Sequence, residues 1–257
     1  MTTLLYDGSF EGFLTAVFDA YADKHTDVQI RKAAQGAQSL FGHAVTIQTD
    51  EQKVARVWNG LCKRTTVEAA KRLYCAYLSE LENEEDSMLS YLQYIFASDT
   101  DASEDYSHPA VMRMAKVMKM TGREKHRMEA FVRFELGADG IYHASIEPDF
   151  NVLPLIVKHF TARYGDQKWI IFDRKRRYGM FYNGTDVQMV HADTTHLSSG
   201  KRLAPGSVEA AFQQLWKIYF KSTNIRERRN IKLHLQHVPL RYWKYLSEKQ
   251  PLLNLGN

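Results

Sequence analysis

The sequence predicts an α+β protein: an antiparallel sheet running β-β-α-β-β-β along the chain, packed with a largely helical N-terminal half. Three observations carry that reading. Apolar residues alternate with a period of two over 131–147 and 168–191, the dipeptide Asn183-Gly184 sits between two such runs, and a helical period runs from Glu51 to about Phe96. The region 1–107 therefore reads as short strands plus helices, and 108–257 as an α+β region with a basic tail. The two could form one continuous domain.

Taken in order, Thr2 to Tyr6 is a β-prone run, and Asp7-Gly8-Ser9 supplies a turn in which Ser9 can cap the next helix. Phe10, Phe13, Leu14, Val17, Phe18 and Tyr21 mark that helix as amphipathic. Val28 to Ala33 and Ala44 to Thr49 read as strands, and Asp50 caps the helical stretch that follows, whose second helix starts at Thr66 with Ala69 and Ala70. Within it Glu82, Glu84, Glu85 and Asp86 are spaced like a solvated helix end, without the glycine of a calcium loop. Residues 98–107, SDTDASEDYS, form a polar loop and the best internal boundary. Pro109 then opens a basic helix in which Arg123, His126 and Arg127 share one face suited to an anion.

Val132, Phe134 and Leu136 alternate with Arg133 and Glu135, and after the turn Gly137-Ala138-Asp139-Gly140 the pattern resumes with Tyr142, Ala144 and Ile146. His143, Ser145 and Glu147 are expected on the opposite, polar face with Arg133 and Glu135. Val152 to Tyr164 is a helix closed by Gly165. Lys168–Asp173, the basic turn Arg174-Lys175-Arg176-Arg177, Tyr178–Tyr182 and Thr185–His191 follow as three strands joined by two tight turns. Gly206-Ser207 caps a helix to about Ser222, and Pro239 restarts a short one bearing Tyr242, Trp243 and Leu246.

At 257 residues, 44% hydrophobic and 25% charged, the chain can bury a normal core. Its charge is unevenly spread: residues 79–105 hold nine acidic side chains and no Lys or Arg, whereas 201–257 hold eleven Lys and Arg against three acids. A polyanion would prefer the C-terminal part. Cys62 and Cys75 lack the spacing of a metal or cluster site and read as reduced core thiols. Neither an export signal nor a run of about 18 apolar residues is present, so a soluble cytoplasmic protein with no membrane partner is expected.

Motifs that would fix a reaction are missing: there is no Gly-x-Ser-x-Gly elbow, P-loop or zincin helix. No cofactor and no metal are expected, since His191, Asp193, His196, His234 and His237 are more simply loop histidines and a carboxylate. The catalytic candidates are Arg133, His143, Glu147 and Asp173, clustered on or near the polar sheet face; each carboxylate could equally pair with Arg133 or Arg174. The nucleic-acid-binding candidates are Arg123, Arg127, Arg174, Lys175, Arg176, Arg177, Arg226, Arg228, Arg229, Lys232, Arg241, Trp243 and Lys244. They combine phosphate neutralisation with nearby flat rings, among them Tyr178, Tyr182 and Tyr242.

Four ordered blocks, LLYDGSFEGFLTAVFDAY, HPAV with GREKHRMEAFVRF, IEPDFNVLPLIVKHFTARYGDQKWIIFDRKRRYGMFYNG, and LWKIYFKS with PLRYWKYL, resemble a bacterial family of uncharacterised proteins described as probable DNA metabolism or DNA repair proteins. The resemblance runs nearly end to end. It implies a DNA-linked role and a radical S-adenosylmethionine (SAM) protein as partner, because members are typically encoded beside one. A similar module can be fused to a uracil-DNA glycosylase-like domain; this chain is expected to carry neither that domain nor an iron-sulfur cluster. Two functions stay open: a protein that binds single- or double-stranded DNA as accessory to a radical SAM partner, or an enzyme processing a nucleotide or damaged base on the polar sheet face.

Overall fold

The computed structural model describes residues 2–23, 27–35, 43–191 and 237–249. The expected helix from Gly206 and the basic run Arg226, Arg228, Arg229 and Lys232 lie outside the described residues. The chain divides into two compact units, Met1–Gly122 and Arg123–Asn257. The class is α+β, as the sequence predicts.

The first unit is built on β1 (Thr2–Tyr6), α1 (Phe10–Ala22), β2 (Val28–Lys32) and β3 (His43–Thr46), followed by α2 (Glu51–Arg64), α3 (Val67–Ser79) and α4 (Glu84–Ala97). Its sheet is entirely parallel, in the order β2-β1-β3. The predicted caps are in place: the Ser9 hydroxyl accepts from the Gly12 amide, Asp50 from Gln52 and Lys53, and Thr66 from Ala69. Leu4, Ile30, Phe13, Leu61, Leu73, Leu92 and Val111 are among the side chains of a single core.

Two expectations fail in this unit. Glu84 and Glu85 are buried, not solvated: Arg113 pairs with Glu84, and Glu85 accepts a 2.9 Å hydrogen bond from the Tyr6 hydroxyl. Sitting in the first turn of α4, they also meet the positive end of its dipole, which offsets part of the cost of burying them. Cys62 is exposed, because the core-facing stripe of α2 passes through Val57 and Leu61, and Cys75 is half-buried on α3; neither is in a disulfide.

The chain enters the second unit within α5 (Pro109–Phe131). That unit holds β4 (Glu135–Leu136), β5 (Tyr142–Ile146), α6 (Leu153–Arg163), β6 (Trp169–Asp173), β7 (Tyr178–Tyr182) and β8 (Val187–His191), with a 3-10 helix at Leu240–Tyr245. The five strands lie in sequence order, but the sheet is mixed: β4/β5, β6/β7 and β7/β8 pair antiparallel, whereas β5 and β6 are parallel. The fully antiparallel sheet is thereby corrected. The physical reason is α6, since a connection long enough to hold a helix returns the chain to the end of the sheet where it began.

The first predicted strand of this sheet is also shorter than expected. Helix α5 continues to Phe131, and ladder pairing begins only at Glu135. Val132 and Phe134 are nonetheless drawn into the core by side-chain packing, the Phe134 ring lying 5.6 Å from Phe160 and 5.4 Å from Tyr164. Trp169, Ile171, Ala144, Ile146 and Tyr178 form the sheet side of this core, against Leu153, Ile156 and Phe160 of α6.

Candidate nucleic-acid interface

The site grows from the turn joining β6 to β7. Asp173 ends β6 on the core face and is wholly inaccessible to solvent; its Oδ1 accepts from the Lys175 and Arg176 amides, closing the turn. Its Oδ2 accepts from the Arg176 guanidinium at 2.8 Å, and the same guanidinium donates to the carbonyls of Pro148 and Asp149. Arg176, whose side chain is only 9% exposed, is therefore committed to the fold. Arg174, Lys175 and Arg177 are exposed around it. The last of these holds the turn at φ +58°, a left-handed conformation that an L side chain adopts at a cost.

The segment Glu147-Pro148-Asp149 lies between this turn and the 3-10 helix. Lys175 Nζ donates to the Asp149 carbonyl at 3.0 Å, Arg241 donates to Asp149 Oδ2 at 2.6 Å, and the Asp149 amide donates to Glu124 Oε1 at 2.8 Å. Glu124, on α5 and 2% exposed, also accepts from the Tyr242 hydroxyl and pairs with Arg127 at 3.4 Å. Burial, then the Glu124 carboxylate, pushes the Tyr242 hydroxyl well above its ordinary pKa, so it stays a proton donor. Glu147 accepts from Lys244 Nζ and, at 2.7 Å, from the Tyr245 hydroxyl. The Lys244 ammonium first, the Tyr245 hydroxyl next and the charge of Arg174 as well hold the Glu147 carboxyl below the usual carboxylate range.

The structure thus brings Arg174, Lys175, Arg176, Arg241 and Lys244 around one acidic segment, with Arg127 linked to it through Glu124, although the six are spread over more than a hundred positions in sequence. Arg123 is exposed on α5. Trp243 is half-buried, its indole N–H donating to the Val238 carbonyl at 3.1 Å and Lys249 Nζ lying 5.0 Å over its ring, so one face already carries a cation.

The catalytic candidates do not converge. Arg133 pairs with Glu248 at 2.9 Å, His143 with Asp139 at 3.1 Å, Glu147 with Lys244, and Asp173 with Arg176. Burial works first against charge on Asp139, but the Ile141 amide and the His143 ring outweigh it and leave that carboxyl below its ordinary range. Pairing, the plainer alternative for these carboxylates, is what the geometry contains. Only the partners differ, since Glu147 and Asp173 take Lys244 and Arg176 in place of Arg133 and Arg174. Among the described residues no cluster of His, Cys, Asp or Glu could hold a metal ion, and no helix is long and apolar enough to cross a membrane.

Sequence reasoning missed Glu124, the hub of this site. A signal existed: Thr121, Glu124 and Met128 fall on one helical face, all three buried, so a carboxylate was being carried inward among the cations of GREKHRMEAF.

No curated protein matches the chain. Residues 82–248 match a family described as a domain of unknown function, DUF4130, a span that takes in α4, α5, the whole second sheet and the 3-10 helix with its charged hub. The chain belongs to that family.

Proposed function

We propose that the protein is a nucleic-acid-binding accessory factor in DNA metabolism or repair, acting beside a radical SAM partner in the cytoplasm. The observation that carries the binding half of this reading is the preformed β6–β7 turn. Asp173 and Arg176 fix its backbone from inside, so Arg174, Lys175 and Arg177 are displayed together without the entropy cost of ordering a loose loop. Fixed, exposed cations beside Arg241 and Lys244 suit a phosphate backbone, whose contacts position a protein without reading sequence. The DNA-metabolism and radical SAM parts rest on the family resemblance of the four sequence blocks.

The test is binding of duplex and single-stranded oligonucleotides across a salt series. Three phosphate contacts from the turn give a log-log slope of about 2.7 on duplex DNA. Binding insensitive to salt, or unaltered when Arg174, Lys175 and Arg177 are all neutralised, would refute the reading. The enzyme alternative, a nucleotide- or base-processing site on the polar sheet face, draws less support, because Arg133, His143 and Glu147 are each engaged by a different partner.

A further inference from the structure

The ion pairs at this surface fall into two kinds. Asp173 with Arg176, and Glu124 with its partners, place a carboxylate out of reach of water. Lys244 with Glu147, and Arg241 with Asp149, are different: their side chains are 59% and 40%, and 42% and 53%, exposed, and although Arg241 also lies 3.6 Å from the buried Glu124, that contact holds the guanidinium in place while its Asp149 contact exchanges. Exposed pairs contribute little and exchange partners readily, whereas a buried pair cannot part without stranding a charge.

On this basis we infer that Glu147 and Asp149 are specificity-determining residues of the proposed nucleic-acid surface: they occupy Lys244 and Arg241 as phosphate stand-ins, so that only a strand bearing several linked phosphates displaces them. The inference rests on the proposed binding function. A lone phosphate arriving at Lys244 or Arg241 replaces a carboxylate that is already there and gains almost nothing. A strand first held by Arg174, Lys175 and Arg177 presents its next phosphates at high effective concentration, which tips the exchange. The geometry provides the continuity, since Asp149 binds Lys175 through its carbonyl and Arg241 through its carboxylate, and the field of Arg174 reaches Glu147. Surface selectivity for polyanions over mononucleotides would then come from two acids within the basic site.

The variants Glu147→Gln and Asp149→Asn preserve shape, and the backbone bonds of residue 149 to Glu124, Lys175 and Arg176 do not need its carboxylate. The experiment measures anisotropy of a labelled 16-nucleotide strand on the full chain, with inorganic phosphate and a mononucleotide as competitors. The double variant is expected to bind the strand about three- to tenfold more tightly and to become open to competition by the mononucleotide. Asp186→Asn, on the exposed β7–β8 turn, removes one carboxylate charge, as each single variant does, without freeing a cation among the described residues, and is expected to change neither readout. In a Lys244→Ala background the gain from Glu147→Gln should vanish. Equal gains from Asp186→Asn would reduce the effect to net charge and overturn the inference, as would unchanged or weaker strand binding by a double variant whose circular dichroism shows it fully folded at the assay temperature. Wild-type binding that depends on the turn but not on Glu147 or Asp149 would sink this inference alone. Absence of binding by wild type and double variant alike would remove the binding function with it.

Discussion

Asp173 Oδ2 and Arg176 Nη1 lie 2.8 Å apart with the carboxylate fully buried, and this contact divides four consecutive basic residues into one that builds the turn and three that face solvent. Arg176→Ala should therefore lower stability by about 3 to 5 kcal/mol, since it leaves a buried carboxylate without its cation. Urea midpoints of wild type and variant measure this. The salt slope of DNA binding should stay as it was in whatever fraction remains folded.

Arg174→Ala with Arg177→Gly should do the opposite. Glycine relieves the left-handed backbone at position 177, so stability should hold or rise by up to about 1 kcal/mol, while the duplex salt slope falls by about two. A slope unmoved by the pair would assign the phosphate contacts elsewhere.

Much of this architecture was legible in the sequence. Ser9, Asp50 and Thr66 announce their helices because a cap needs only local geometry, and Asn183-Gly184 announces the β7–β8 turn for the same reason. Strand direction was not legible. Alternation from Tyr142 to Ile146 fixes which face each side chain takes but says nothing about whether β6 runs with or against β5. Nor could the run Arg174 to Arg177 declare which cation turns inward, although an Asp that accepts the amides two and three residues on is a common turn habit, and Asp173 stands at the position for it. Glu124 was hidden by its basic neighbours, and its partners Tyr242 and Asp149 lie 118 and 25 positions away.

Glu147 gives a pH dependence with a definite sign. Its carboxyl titrates lower in the folded state than in the unfolded chain, so its contribution is complete above the ordinary carboxylate range and is lost as pH falls through the folded value. Lys244 is shifted upward by the same contact, so its contribution is complete below the ordinary lysine range and is lost as pH rises through its own folded value. Melting temperatures of wild type and Glu147→Gln should accordingly differ at neutral pH and converge under acid conditions. A difference that persists below the carboxylate range would assign it to packing.

Phe134 offers a test of the core beside the site. The ring meets Phe160, Tyr164 and Trp169 but is only partly buried, so Phe134→Ala should cost about 2 kcal/mol, less than the loss of a wholly enclosed phenylalanine. Guanidinium unfolding curves with unchanged slope would give the value directly.

The parallel contact between β5 and β6 also sets an order of assembly. Strands β6, β7 and β8 are joined by turns at 174–177 and 183–186, loops that close quickly, whereas β5 meets β6 only after residues 147–168 have folded back with α6 between them. Long closures are slow because their entropy is lost before any contact rewards it. The three-stranded meander is therefore expected to form first and to serve as the template on which β5 docks, with the charged segment 147–149, at the start of that crossover, taking its final place late.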